Sequence, residues 1–454
     1  MRKNVMTKLD FLYTQPQLNE IADQIIDLSL QEGASDAQVE LSESISTDIE
    51  VLNQEIETFE TSHENQLLLT VYMGHKKGHI GISSIRLENS RDIIRQALDI
   101  AKYTEEDRAN GLLEKEYIVT SLHDDLQLYA PYPINNNELI TQTKELEQTA
   151  LDLEPLISAS DGASTTLTRY NFVTANTHGL NHGYQTSRYS KSLSLIGKNT
   201  QGMQTDYWYS SSRIFTNLSA NRELAQKTVN RVKRRLTYGS YTSGKPAIIF
   251  EDTIAKSIIG SLIGALSGGS LYRRLSFLND SIGQQILPSW FNMYEDPFII
   301  NGLASCYFDN EGSAVARRTV IESGKVQGYF LSSYTARKMN MRSTGNAGGS
   351  HNIYVTPNHH GNLESLAREM QNGLIIIETI GHGLNMVTGD YSVGASALVV
   401  INGEISHFTD NLTIARNMRE ILQQIALIND DTEFSSVNCG AMLINAGIIQ
   451  VSIK

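Results

Sequence analysis

The chain carries eleven histidines and two cysteines, the residue types that most often grip a metal ion or act as nucleophiles. His75 and His79 stand four apart, as in a helical zinc motif. Their context, MGHKKGHIG, reads as a hairpin turn, which does not align the two rings. His178 and His182, in THGLNHG, fail in the same way. His359 and His360 are neighbours after Pro357, and adjacent side chains point apart in extended backbone. The pair His63–Glu64 has no histidine at either usual downstream spacing, so these histidines read as exposed or turn residues. Nucleophile motifs are equally incomplete. GDYSVG around Ser392 has Asp390 where a nucleophile elbow needs glycine. Cys306 and Cys439 lack a local signature, and Cys439 reads as a small buried apolar residue. The segment 343–352, STGNAGGSHN, has no lysine to end a phosphate loop. Its Gly345, Gly348 and Gly349 permit positive φ or close backbone approach, and Ser343, Asn346, Ser350, His351 and Asn352 surround them with polar groups. Two readings stay open: a structural crossover, or a wall of a peptide cleft or subunit contact.

Such residues need a scaffold, and 454 residues are enough for two or three domains. Forty per cent hydrophobic and 19% charged residues describe a globular chain with a sizeable core. A formal charge of −13 argues against non-specific nucleic-acid binding and against an anionic membrane surface. The dense basic run RVKRR ends a helical pattern, where cations complement the helix dipole. Two distant cysteines make no disulfide framework and suggest a reducing compartment. The opening MRKNVMTKLDFLYTQ lacks the apolar stretch of a signal peptide, and no run is long enough to span a membrane. A cytoplasmic location is the expectation.

Periodicity predicts a helix over 16–33, four strand-like runs (DAQVELS, TDIEVLNQEIETF, QLLLTVYMG, KGHIGISSI) and a helix over 91–103. After the loop APYPINNNE come a helix to about Leu153, long polar alternating strands, and a helix over 221–236. TYGSYTSGKP is the best linker. The last third is Gly-rich and β-rich, with ESGK and INGE as tight turns and a helix over 412–428 capped by Asp410 or Asn411. The expected organisation is α+β. An N-terminal domain with an antiparallel sheet covers 1–120, a strand-rich segment packed with it covers 121–240, and a β-rich domain covers 241–454.

FDNEGSAVARRTVIESGKVQGYFLSSYTARKMNMRSTGNAGGSHN, with VTGDYSVGASALVVINGEI and DNLTIARN, resembles the signature region of the TldD/PmbA proteins. The ending VNCGAML resembles the PmbA (TldE) branch. The resemblance implies the fold of that family, and a cytoplasmic zinc-dependent peptidase made by pairing a TldD with a TldE chain. It also implies peptides and unfolded proteins as substrates. TldD-like chains carry His-Glu-x-x-x-His on a helix and a further cysteine ligand: zinc activates a water and the glutamate takes its proton. Anchored on Tyr272 to Arg274, that helix falls on GSLIGA, within AKSIIGSLIGALSGGSLYRR at 255–274. The two histidine positions become Gly260 and Ala265, and the glutamate position Ser261. No histidine occurs between His182 and His351.

The resemblance therefore implies a TldE-type subunit that binds no metal itself, with zinc expected on a TldD-type partner. The small residues Gly260, Ser261, Gly264 and Ala265 are expected to permit close packing. Ser343, Gly345, Asn346, Gly348, Gly349, His351 and Asn352 are expected to line a peptide cleft, with His382, Asp390, Tyr391 and Ser392 from the segment 381–394. Alternatives are a self-sufficient hydrolase using His351, His382 or Cys439, a regulatory binding protein of the gyrase-modulator type, and a homodimer with an independent role.

Overall fold

The computed structural model describes residues 10–453 except Arg86, His123, Ile134 and His382. The opening basic segment thus lies mostly outside the described residues. The first half is one six-stranded antiparallel sheet backed by helices. Helix α1 (Gln15–Gln31) starts at Thr14, whose side chain forms a capping box with Gln17. Strands β1 (Asp36–Leu52), β2 (Glu55–Met73) and β3 (Lys76–Ile82) follow, then α2 (Ser90–Tyr103) and α3 (Asn136–Leu153). Strands β4 (Ile157–Asn176), β5 (Asn181–Asn199) and β6 (Gly202–Ser212) lead to α4 (Asn221–Leu236). The strand order is β3-β2-β1-β4-β5-β6, so the segments on either side of residue 120 share one sheet.

The four strand-like runs make three strands. TDIEVLNQEIETF bends at Asn53 and Gln54, both with positive φ, and Glu147 of α3 accepts their N–H groups at 2.9 and 2.7 Å. Odd-numbered residues of β1 face the helices: Val39 and Leu41 pack under α1 and α2, Ile49 and Val51 with Leu139 of α3. The opposite, polar face of this sheet looks toward loops of the second half, where Gln38 Nε2 donates to the Asn310 carbonyl at 3.1 Å.

The second half holds two sheets. Strand β7 (Ala247–Phe250) leads into α5 (Asp252–Ala265) and α6 (Gly268–Tyr272). The helical pattern of 255–274 is interrupted at Leu266 and Ser267, where Phe330 bridges to Ser267 and accepts the Gly268 N–H at 2.8 Å. Strands β8 (Met293–Asp296), β9 (Arg318–Glu322) and β10 (Lys325–Val326), helix α7 (Ser333–Lys338) and strand β11 (Asn352–Val355) follow. Then come α8 (Leu363–Met370), β12 (Gly373–Ile380), β13 (Asp390–Ile401) and β14 (Glu404–Asn417). The chain closes with α9 (Met418–Gln423), β15 (Ile425–Ile428), β16 (Val437–Asn438), β17 (Met442–Ile444) and β18 (Gln450–Ile453). The sheets run β10-β9-β8-β11-β16 and β15-β17-β7-β12-β13-β14-β18, and α5 packs into the large core between them.

The expected helix over 412–428 is mostly strand. Leu412 and Ile414 are buried while Thr413 and Ala415 are half-exposed, a period of two, and β14 pairs with both β13 and β18. Only six residues, α9, are helical there. ESGK and INGE do make tight turns, with positive φ at Ser323–Gly324 and Asn402–Gly403. Among the described residues no helix is long and apolar enough to cross a membrane.

Candidate functional site

The loop 343–352 joins α7 to β11, and its glycines are there for steric reasons. Gly345 and Gly348 have φ of 70° and 108°, and a Cβ on Gly348 would lie 2.8 Å from Asn310. Asn346 is a latch: it donates to Glu295 at 2.8 Å and to the Gly349 carbonyl, and accepts from Arg318 and Thr344. Asn352 is fully buried and ties Asp296, Ser305 and Ala304 together. Ser343 is half-buried and donates to the Leu331 carbonyl.

Gly348, Gly349, Ser350 and His351 instead wall a pocket of about 190 Å³, lined also by Cys306, Asp309, Phe172 and Tyr184. Phe172 and Tyr184 come from β4 and β5, so the pocket lies between the polar face of the first sheet and the second half. His351 stands at its base, 2.9 Å from Glu295. Burial works against the charged ring, but the Cys306 thiol and the Glu295 carboxylate outweigh it, and the His351 pKa is raised to about 10. Burial also opposes ionisation of Glu295, yet His351 and Arg318 hold it below the usual carboxylate range. Asp309 is pushed up to about 6 by burial and the nearby Glu311, despite accepting main-chain N–H bonds from Ala347, Ser313 and Glu311.

The segment 381–394 lies elsewhere, against α5. Met386 reaches to 3.4 Å of where a Cβ on Gly264 would be, and its carbonyl accepts the Phe277 N–H at 2.7 Å. Asp390 is exposed and bonded to Thr388 and Asn417, Tyr391 is half-buried, and Ser392 is exposed. His382 lies outside the described residues. The 190 Å³ pocket takes residues from the loop and none from 381–394.

On α5, Gly260 is exposed with open space where a side chain would start, so packing within this chain does not demand glycine there. Ser261 donates back to the Ser257 carbonyl at 3.1 Å, and Ala265 is fully buried. Close packing therefore applies at Gly264 and Ala265 and not at Gly260. Glu251, just before α5, is gripped by Arg231 at 3.2 Å and Arg234 at 3.0 Å. Asp206 of β6 and Glu378 of β12 take Arg231 and Arg235. The basic run thus does more than complement a dipole: it clamps α4 to the second half. Sequence reading missed this clamp, and missed Glu295, Cys306, Asp309 and Arg318 around His351. Their spacings in the chain carry no period or motif.

Residues 129–236 match the family description "PmbA/TldA metallopeptidase central domain", and 243–450 match "PmbA/TldA metallopeptidase C-terminal domain". The metalloprotease PmbA homolog of Haemophilus influenzae is 36% identical over 432 residues, 95% of each chain. This chain belongs to the PmbA/TldA metallopeptidase family. Metalloprotease PmbA of Escherichia coli O157:H7 is 34% identical over 419 residues, covering 92% of this chain and 93% of that protein. The fold is shared with TldE from Thermococcus kodakarensis, with a TM-score of 0.83 at 18% identity over 95% and 100% of the two chains. A Bacteroides thetaiotaomicron protein described as a candidate modulator of DNA gyrase superposes with a TM-score of 0.90 at 23% identity, covering 96% and 98%.

A PmbA/TldA metallopeptidase is expected to hold zinc, and the α5 residues do not fit one. Glycine and alanine offer no donor atom, and the Ser261 hydroxyl is turned to its own helix. Cys439 is in the same core as α5, but burial pushes its thiol up to about 12, which keeps it from the thiolate form a metal takes. Among the described residues no three His, Cys, Asp or Glu side chains gather closely enough to hold an ion.

Proposed function

We propose that this chain is the TldE-type half of a cytoplasmic TldD–TldE peptidase acting on peptides and unfolded proteins. Zinc and the proton-accepting glutamate then belong to a TldD-type partner. The observation that carries this reading is the occupancy of three α5 positions by Gly260, Ser261 and Ala265, none of which can bind zinc or act as a base near neutral pH. Near-full-length similarity to PmbA proteins supports it. The chain's part is to complete the cavity and help hold peptide extended, by main-chain pairing along a sheet edge. Gly348, Gly349, Ser350 and His351 offer that peptide a wall at the 190 Å³ pocket, and Asp390, Tyr391 and Ser392, which lie apart from the pocket, would meet it on the α5 side.

The test is co-expression with a TldD-type chain and a peptidase assay of each chain alone and of both together. Turnover is expected only from the pair. Peptide hydrolysis by the solitary, purified chain that a chelator abolishes would overturn the reading.

A further inference from the structure

A cavity of about 370 Å³ lies on the seam between the halves, beside the arginine clamp. Small-molecule sites typically enclose about 300–1,000 Å³. Trp208 of β6 and the face of α4 that carries Lys227, Arg231 and Arg234 form one side. The start of α8, Ile405 of β14 and residues just after β15, among them Asn429 and Asp431, form the other.

Two of the lining side chains each keep an atom without a hydrogen-bond partner. Asn429 is 2% exposed, and its Oδ1 is buried and unpaired. Gly440 leaves the room this amide occupies, since a Cβ there would lie 2.2 Å from that oxygen. The Asn429 side chain makes no hydrogen bond among the described residues, so turning it further into the cavity sacrifices none. Arg234 spends both terminal nitrogens on Glu251, and its Nε–H is buried and unpaired. Leaving buried polar groups unpaired is costly, so an orphaned acceptor and an orphaned donor around one cavity point to a ligand that completes both.

The charges say which kind of ligand. Arg231 and Arg234 hold Glu251, Lys227 holds Glu433, and Lys256 holds Asp252 at 3.2 Å. Lys227 and Arg231 also cap the Trp208 ring, at 4.1 and 4.6 Å from its centre. Glu364 and Asp431 differ: both are exposed lining residues, and neither has an ion-pair partner among the described residues. The rim thus offers two uncompensated carboxylates, which favour a cation.

We propose that this cavity binds the ammonium and adjacent carbonyl of an α-amino amide, either a free one or the N-terminal residue of a peptide. The ammonium supplies donors for the rim carboxylates and for the Asn429 oxygen, and the carbonyl accepts from Arg234 Nε. Leu363, Ile405 and Ala441 give a short side chain apolar surface. The proposal does not depend on the subunit reading above.

The full chain is titrated calorimetrically with L-alaninamide, tri-L-alanine amide and N-acetyl-L-alaninamide. Alaninamide is expected to bind with a Kd below about 1 mM. The acetylated probe has lost its charge and should bind at least about tenfold more weakly. A chain carrying Glu364→Gln and Asp431→Asn, both at exposed positions, should lose roughly tenfold in affinity for alaninamide while keeping its fold. A tripeptide amide that binds at least as tightly as alaninamide makes the occupant a peptide N-terminus, and one that binds more weakly makes it a free amino amide. The proposal is overturned if neither amine gives saturable heat up to about 20 mM. Equal affinity for the acetylated probe, or an unchanged affinity in the folded double variant, overturns it as well.

Discussion

His351 shows how one buried residue can make stability depend on pH. Its ring is charged in the folded protein because Cys306 and Glu295 outweigh burial, and the folded-state pKa is raised from 6.5 to about 10. A raised value means the stabilisation is complete below the unfolded-state value and fades as pH rises through the folded one. Urea unfolding of the wild-type chain should therefore show stability declining from about pH 6.5 toward pH 10. His351→Gln should remove that slope and lower stability near neutrality by roughly 1–3 kcal/mol, the cost of leaving buried polar groups without a partner. An equal slope in the variant would show that the ring is not charged in the fold.

At the scale of elements, two glycines in conspicuous stretches have opposite reasons to be glycine. Gly348 has a φ of 108° and Asn310 in the way of any Cβ, so Gly348→Ala should destabilise the chain by more than about 1 kcal/mol. Gly260 sits inside α5 with free space around it, so Gly260→Ala should stabilise by about 0.5–1 kcal/mol through helix propensity alone. Thermal unfolding of the two variants distinguishes them, and a destabilised Gly260→Ala would mean that something outside this chain's own packing reads that face. Both glycines stand out in the sequence, but only the structure separates their roles. The same limit runs through the fold. The α1 start, the long polar strands and the tight turns were legible because capping, alternation and turn residues are local signals. The 412–428 stretch was not, because Leu412, Ile421, Leu422 and Ile425 fit a helical spacing while β13 and β18 impose strand on its first part. The site was legible to the same degree. The absent donors on α5 can be read from composition, whereas the grouping of Cys306 and His351 with Glu295 depends on strands that meet only in the folded chain.

Across the whole molecule, the two halves communicate through carboxylates that the arginines of α4 surround. Glu251 is buried at the head of α5, and burial alone would raise its pKa, yet Arg234 and Arg231 hold it below the usual carboxylate range. A depressed carboxylate contributes stability above its unfolded value, about 4.5, and loses it as pH falls below that. Removing one partner of a buried ion pair strands the other charge and costs roughly 3–5 kcal/mol. Glu251→Gln should therefore destabilise the chain by about that amount at neutral pH, with a smaller penalty in acid. Because Arg231 also stacks on Trp208 at 4.6 Å, the loss should extend into the first half. Hydrogen exchange should quicken in both α4 and α5, with a change in Trp208 fluorescence. If α5 alone loosened, the arginine cluster would be a local pin, and other contacts between the halves, among them Gln38 with the Asn310 carbonyl and Arg337 with main-chain carbonyls of 109–112, would hold the first half in place.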